Sequence, residues 1–180
     1  EEANKIVEKL EDLSERRTIV IFNEEWHKGV IGIVASRLTE IYYRPAVVLT
    51  RTNDLATGSA RSVSGFDVYK AIEHCRDLLE NFGGHTYAAG LSMKAENVEE
   101  FTRRFEEYVT NNILPEQRSA VIDIDAEIDF RDITPKFHSD LKRFNPFGPD
   151  NHKPVFCTHH VYDYGTSKVV GREQEHIKLE

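Results

Sequence analysis

Residues 18–50 read TIVIFNEEWHKGVIGIVASRLTEIYYRPAVVLT, and their apolar pattern indicates the class of fold. The β-branched run over 18–22 predicts a buried strand, and the apolar run over 30–42 predicts a helix. Pro45 follows that helix, and residues 46–50 predict a second strand. A strand, a helix and another strand in succession are typical of an α/β domain. We therefore expect a layered domain with a mixed sheet and flanking helices.

The pattern continues on both sides, and the layered domain is predicted to span residues 17–113. The sequence opens in the middle of a helical pattern, so we expect the chain to be a fragment of a longer one. The other predicted elements are a connecting-helix end over 1–16, a strand over 56–63, a helix over 68–79 that begins at Asp67, a turn at Gly83-Gly84, a strand over 91–93 and a helix over 98–113.

A second, smaller domain is predicted after Pro115. Residues 121–130 alternate apolar and acidic side chains, which is typical of a half-exposed strand. Residues 155–164 and 167–179 predict two more strands, so we expect a partial all-β domain over 119–180. The acidic side chains of the first strand lie along one flat face and diverge, so we expect them to face solvent and not a metal. They are Asp123, Asp125, Glu127 and Asp129.

The chain has 180 residues, 39% of them apolar and 30% charged, and a formal net charge of −8. This acidic balance excludes a protein that coats DNA in general. The excess of acid lies outside residues 18–94, so a local cationic groove remains compatible with it. No apolar run is long enough to span a bilayer, and we expect no membrane partner. The two distant cysteines favour a reducing cytoplasm, with Cys75 as a small core residue.

Two glycine-containing stretches place hydrogen-bond donors beside flexible backbone. Arg61 offers a planar guanidinium that suits phosphate, and Ser62 adds a hydroxyl. Gly83 and Gly84 precede a short segment where backbone N–H groups can face an anion, and His85 can donate to a phosphate oxygen. Each feature also has a structural interpretation, as a surface arginine in an edge strand or as a tight turn with a capping histidine. No cluster of metal-binding side chains accompanies them, which favours holding a phosphate over cutting a bond.

Trp26 and His27 join the first strand to the first helix, where α/β proteins often bind ligands. Trp26 can stack on a base, although a tryptophan more often closes the core. His27 can contact a phosphate or cap the helix. The side chains that could suggest a zinc site are His152, Cys157, His159 and His160. Their spacing matches no familiar zinc module, so we do not expect a zinc site.

Several stretches resemble the C-terminal half of the RecJ exonucleases, a single-strand-specific family of the DHH phosphoesterase superfamily. The resemblance covers nearly the whole chain, and its first block is long and specific. The stretches are 26–38 (WHKGVIGIVASRL), 44–48 (RPAVV), 58–62 (GSARS), 82–85 (FGGH), 88–90 (AAG), 146–151 (PFGPDN) and 154–156 (PVF).

The resemblance implies an architecture and a function. Residues 1–16 would end a connecting helix, 17–113 would form a DHH-associated domain, and 119–180 would form part of an OB-like domain. The implied activity is 5′ to 3′ hydrolysis of single-stranded DNA in recombination and repair. The family's Mn²⁺ or Mg²⁺ is bound by a DHH domain, so we expect neither catalytic residues nor a metal in this chain, which would be inactive alone.

The same resemblance implies partners and a substrate site. The partners would be single-stranded DNA, the DHH domain of the same protein and, through unpaired sheet edges, another copy of the chain. The residues implied at the substrate phosphates are Arg61, Ser62, Gly83, Gly84 and His85, with Trp26 and His27 as further contacts.

One position departs from the family pattern. Ala60 stands where the family usually has glycine, and its Cβ atom could change the aim of Arg61. Other functions stay open at this point. They are an oligonucleotide or cyclic-dinucleotide phosphodiesterase of the DHH type, a non-catalytic single-stranded nucleic-acid-binding protein, and an RNA-directed domain of the kind attached to alanyl-tRNA synthetases.

Overall fold

The computed structural model describes residues 2–10, 13–148 and 150–178. The chain divides into two compact units, Glu1–Ala120 and Val121–Glu180. Within the described ranges, no helix has the length and apolar character needed to cross a bilayer.

The first unit alternates strands and helices. Its elements in chain order are α1 (Glu2–Val7), β1 (Ile19–Phe22), α2 (Ile31–Tyr42), β2 (Ala46–Thr52), β3 (Leu55–Arg61), α3 (Val68–Glu73), β4 (Leu79–His85), β5 (Ala88–Lys94) and α4 (Val98–Asn112).

The strands form one sheet in the order β1-β2-β3-β5-β4. β1 and β2 are parallel, because the crossover helix α2 connects them. The remaining neighbours are antiparallel. This mixed sheet with flanking helices confirms the predicted α/β layered class.

The two faces of the sheet differ in what covers them. Along β3, Ala56, Gly58 and Ala60 are buried, whereas the alternate residues are only half-buried. The buried side packs into the main core with α3 and α4. On the opposite face α2 packs over β1 and β2 in a second cluster. The residues of β5 and β4 on that second face remain half-buried or exposed, so this part of the sheet is accessible.

The buried side of β3 explains two small residues. A Cβ atom on Gly58 would lie 2.5 Å from Leu49 Cδ2, so only glycine fits that position without a shift. Ala60 is fully buried in the main core, and its methyl group lies on the face opposite Arg61. The departure from the family pattern is therefore accommodated in the core.

Cys75 is buried in the same core, which confirms the sequence prediction. Burial is the main cause that raises the pKa of its thiol, to about 11. The thiol is therefore protonated at neutral pH and behaves as a small apolar side chain.

Glu106 of α4 fastens the start of β1. Its carboxylate accepts hydrogen bonds from the backbone N–H of Arg17 at 2.6 Å and of Thr18 at 2.9 Å. The Thr18 hydroxyl also donates to it. These three donors from the start of β1 fix the edge of the sheet against α4.

Three predictions on the first unit were wrong in detail. Gly83 and Gly84 do not form a turn but lie inside β4, whose hairpin with β5 turns at residues 86–87. The helix predicted over 68–79 ends at Glu73, because pairing with β5 takes Leu79 into the sheet. The helix predicted over 1–16 spans only Glu2–Val7, and residues 1, 11 and 12 lie outside the described part of the chain.

The second unit has little regular structure. Its elements are β6 (Ala126–Glu127), α5 (Pro135–Lys142), β7 (Phe156–Cys157), β8 (Lys168–Val170) and β9 (His176–Lys178). β6 pairs with β7, and β8 with β9.

The long strands predicted for this unit were wrong. Of residues 121–130 only Ala126–Glu127 is a strand, and Ile122 and Ile124 are largely exposed. An alternating segment forms a stable strand only when it pairs with a neighbouring strand. Among the described residues, only Phe156–Cys157 pairs with this segment. The predicted strands 155–164 and 167–179 are reduced to β7 and to the β8–β9 hairpin. Leu179, like Pro149 of the 146–151 stretch, lies outside the described residues.

Candidate phosphate-binding site

Arg61 and His85 lie in one row across three strands. Arg61 in β3 and His85 in β4 both pair directly with Ala88 in β5. Residues paired across antiparallel strands point to the same face. Since neighbouring strands lie about 4.8 Å apart, the two Cα atoms are about 10 Å apart. The sheet therefore brings a guanidinium and an imidazole to one accessible face, with a small alanine between them.

The guanidinium of Arg61 is held in place. Its Nη1 atom donates to Ser59 Oγ and to the Ala60 carbonyl oxygen, both at 2.8 Å. It also lies against Gly32 in the first turn of α2, because a Cβ atom placed on Gly32 would be 3.0 Å from Arg61 Nη2. The residue before α2, Val30, supplies no side-chain cap. First-turn N–H groups lack acceptors within a helix and carry partial positive charge. The guanidinium and the start of α2 thus form a region suited to an anion.

Ser62 forms hydrogen bonds within the fold, and its contact with a phosphate stays a prediction. Its hydroxyl donates to the Phe66 carbonyl oxygen at 2.7 Å, and its backbone N–H donates to the Tyr87 carbonyl oxygen at 3.1 Å. The hydroxyl proton is therefore engaged in the fold. Ser62 joins the segment after β3 to the β4–β5 turn and so fixes the loop beside Arg61.

Gly83 and Gly84 have opposite surroundings. A Cβ atom on Gly84, whose φ is +155°, would lie 2.3 Å from the Ala88 carbonyl oxygen and 2.5 Å from Ala89 Cα. A Cβ atom on Gly83 would meet no atom of the described residues within 4 Å. Gly84 is therefore required by the close approach of β5, whereas packing among the described residues does not require glycine at position 83.

His85 is exposed, and its Nδ1 atom accepts a hydrogen bond from the Tyr87 backbone N–H at 3.3 Å. A neutral histidine that accepts at Nδ1 carries its proton on Nε2. Nε2 makes no hydrogen bond to any residue that the structure describes. The imidazole can therefore donate to a ligand above the sheet.

Trp26 and His27 lie in the segment between β1 and α2. Trp26 is half-buried against the second hydrophobic cluster, and its Nε1 atom donates to Glu2 Oε2 at 3.1 Å. Its geometry agrees with the interpretation as a residue that closes the core. His27 is exposed, and its Nδ1 atom accepts from the Gly29 backbone N–H at 3.0 Å.

The described residues do not offer a metal centre. No group of three or more His, Cys, Asp or Glu side chains is placed to hold a metal ion anywhere in the described ranges. The resemblance assigns the Mn²⁺ or Mg²⁺ to a DHH domain, and the lack of a metal in this chain stays a prediction.

Sequence reasoning missed Gly32 and Ser59, which orient the guanidinium of Arg61. A signal for Gly32 was present, because an isolated glycine inside an apolar helical run often has a packing reason. A signal for Ser59 was present as well, because residues two apart in the strand predicted over 56–63 share a face, which places Ser59 beside Arg61.

Comparisons with known proteins agree with this fold. The family model of the DHHA1 domain matches residues 3–111, and that of the RecJ OB domain matches residues 124–180. The chain therefore belongs to the DHHA1 domain family and continues into a RecJ OB domain.

The relatives are more specific. The chain is 35% identical over 167 residues to the single-stranded-DNA-specific exonuclease RecJ of Bacillus subtilis, covering 92% of this chain and 21% of the relative. It is 32% identical over 166 residues to RecJ of Escherichia coli, covering 89% of this chain and 28% of the relative. The chain thus spans between 21% and 28% of the length of these relatives. The resemblance to RecJ drawn from the sequence is confirmed.

A solved structure shows the same relationship. The crystal structure of RecJ in complex with Mn²⁺ from Thermus thermophilus aligns with a TM-score of 0.78 at 27% identity. The alignment covers 95% of this chain and 25% of that one. A second crystal structure of the same protein, in complex with Mg²⁺, aligns with a TM-score of 0.75.

Proposed function

We propose that this chain is the substrate-binding part of a 5′ to 3′ exonuclease that hydrolyses single-stranded DNA in recombination and repair. The observation that carries the proposal is the row Arg61–Ala88–His85, whose guanidinium lies at the first turn of α2. The relatives are named as single-stranded-DNA-specific exonucleases, and a nuclease of this kind needs a place that holds the backbone phosphate.

In this proposal each site residue has a separate task. Arg61 neutralises the phosphate and His85 donates to it from Nε2. Gly83 leaves room for the DNA backbone, whereas Ser62 and Gly84 hold the surrounding loop and hairpin. Trp26 and His27 border the site at the start of α2.

The hydrolytic chemistry belongs elsewhere in the proposed enzyme. RecJ relatives have been crystallised with Mg²⁺ and with Mn²⁺, and we assign the metal ligands to the DHH domain that the resemblance implies. This chain contributes positioning of the substrate, which is a substantial part of the rate enhancement of an enzyme. We expect the chain alone to be inactive.

Three other functions were left open by the sequence, and the RecJ OB match over residues 124–180 disfavours the RNA-directed domain. A DHH-type oligonucleotide or cyclic-dinucleotide phosphodiesterase is disfavoured by the RecJ OB match over residues 124–180. A non-catalytic single-strand-binding protein would use the same phosphate site. Cleavage of single-stranded DNA by the longer protein distinguishes the proposed exonuclease from a non-catalytic binding protein. In the exonuclease we expect His85→Ala to lower turnover without unfolding the protein.

The first experiment measures binding of this chain to a 5′-phosphorylated single-stranded oligonucleotide across a salt series. We expect Arg61→Ala to weaken binding and to reduce the slope of log K against log salt by about one, because one phosphate contact is lost. His85→Ala should also weaken binding. Arg103→Ala is the matched control, since Arg103 is exposed on α4 and pairs with Glu100 and Glu107.

The outcomes separate clearly. Weakening by Arg61→Ala and His85→Ala, with Arg103→Ala unchanged, supports the phosphate site. Equal effects of all three substitutions would mean that binding follows overall charge, and the assigned site would be wrong.

A further inference from the structure

A groove of about 390 Å³ continues along the accessible face of the sheet next to the Arg61–His85 row. It is bordered by the β2–β3 hairpin and by the segment before α2. Lys28 is the one charged side chain among the described residues that line it. The phosphate site described above does not account for this groove.

The groove is built on two further rows of paired residues. Ser59, Gly90 and Gly83 form the row next to Arg61 and His85. Thr57, Ser92 and Asn81 form the row after that one. All three rows point to the same face because successive rows are two residues apart along each strand.

The outer row consists of polar side chains that the fold does not use. Thr57 and Ser92 are half-buried, and Asn81 is exposed. Neither these three side chains nor Lys28 forms a hydrogen bond or an ion pair with any residue that the structure describes. Ser59 differs, because its oxygen accepts from Arg61. Two hydroxyls, an amide and an ammonium are therefore free to meet a polar ligand.

The middle row leaves space for that ligand. Within the described part of the chain, a Cβ atom on Gly83 would meet nothing within 4 Å, and one on Gly90 would come no closer than 3.9 Å to a neighbouring heavy atom, the Gly58 carbonyl oxygen. Packing in that part of the chain therefore does not require these two glycines. Their lack of side chains instead keeps a path open between the Arg61 row and the Thr57 row.

The distance between the Arg61 row and the Thr57 row indicates which kind of ligand can contact both. Thr57 is four residues from Arg61 along one strand, which is about 13 Å. A single phosphate cannot contact both rows, whereas a chain of nucleotides can. The uncharged hydroxyls and amide suit sugar and phosphate oxygens of any sequence, and Lys28 supplies one positive charge.

We propose that the groove of Lys28, Thr57, Asn81 and Ser92 is a second backbone subsite, which binds the sugar–phosphate chain of the nucleotides next to the one held at Arg61. The inference rests on the proposed function of the Arg61–His85 row. It assigns this groove to the polynucleotide backbone and not to a base.

The test compares ligands of different length on the 180-residue chain. Binding of thymidine 5′-monophosphate and of 5′-phosphorylated dT4 is measured for the wild type, Lys28→Ala and Asn81→Ala. We expect both variants to bind the mononucleotide as the wild type does and to bind dT4 about fivefold more weakly. Lys70→Ala is the matched lysine control, because Lys70 is exposed on α3, which packs against the opposite face.

The failure of this inference is distinct from that of the phosphate site. If Arg61→Ala weakens both ligands while Lys28→Ala and Asn81→Ala weaken neither, the second subsite is wrong and the phosphate site stands. If Arg61→Ala weakens neither ligand, the proposed function itself fails. Equal weakening of both ligands by Asn81→Ala would place that residue at the first phosphate and also overturn the inference.

Discussion

Replacing Gly84 by alanine would force β4 away from β5. The new Cβ atom would lie 2.3 Å from the Ala88 carbonyl oxygen and 2.5 Å from Ala89 Cα, and both are backbone atoms that no side-chain rotation can move. The φ of +155° adds strain for any residue with a side chain, of about 1–3 kcal/mol. Backbone displacement in a packed region costs about another 1–3 kcal/mol. We expect a total loss of about 4 kcal/mol in the free energy of unfolding.

The adjacent position gives the matched control. Gly83→Ala introduces the same methyl group in the same strand, but no atom of the residues that the structure describes lies within 4 Å of it. The smaller entropy of its unfolded state stabilises the variant by up to about 1 kcal/mol. Thermal unfolding followed by circular dichroism should show a Tm about 15 °C lower for Gly84→Ala, since about 1 kcal/mol corresponds to about 4 °C in a domain of this size. The Tm of Gly83→Ala should be unchanged or slightly higher.

The comparison also tests the role of Gly83. The folded Gly83→Ala variant should bind single-stranded DNA more weakly, because its methyl group occupies the path of the backbone. A Gly84→Ala protein that melts like the wild type would refute the reasoning on close approach. A Gly83→Ala protein with wild-type affinity would show that the open face at this position does not meet the ligand.

Three other expectations follow from the fold. Glu106→Gln should lower the free energy of unfolding in urea by about 1–3 kcal/mol, because the Glu106 carboxylate accepts the hydrogen bonds that fix the start of β1. Glu107→Gln, at an exposed position, should change little, and equal effects of the two substitutions would contradict this. Iodoacetamide at pH 8 should modify Cys157 but not Cys75 in the folded chain, since burial raises the pKa of the Cys75 thiol and only the thiolate reacts. Mass spectrometry that finds both cysteines labelled equally would contradict this. Ala60→Gly should lower stability by about 1 kcal/mol without changing DNA affinity, and a gain in affinity would mean that the methyl group does influence the aim of Arg61.

Local patterns predicted the parts of the fold where one signal dominates. The apolar run over 30–42 became α2 almost to the residue, because its apolar face, its length and the following Pro45 all agree. The Gly83-Gly84 pair was misread as a turn, since a glycine pair has the same appearance in a turn and in a strand that a neighbour approaches closely. Only the pairing of Gly84 with Ala89 distinguishes the two cases.

The candidate site shows the same limit. The residue types of Arg61 and His85 predicted them as phosphate ligands, but their common row depends on Ala88, which carries no chemical signal of its own. The alternating run over 121–130 failed for a related reason. Its periodicity was clear, but a strand is stabilised by a partner that periodicity alone does not provide.

The alternation of β3 has a consequence for how this region can change in evolution. Its even-numbered residues Ala56, Gly58 and Ala60 are buried in the core and are constrained by volume. Thr57, Ser59 and Arg61 are half-buried on the accessible face and are free of that constraint. Deleting one residue within the strand would exchange the two sets, placing the arginine in the core and the alanines on the surface. Point substitutions can therefore be tolerated one side at a time, whereas insertions and deletions should be confined to the hairpin at residues 53–54.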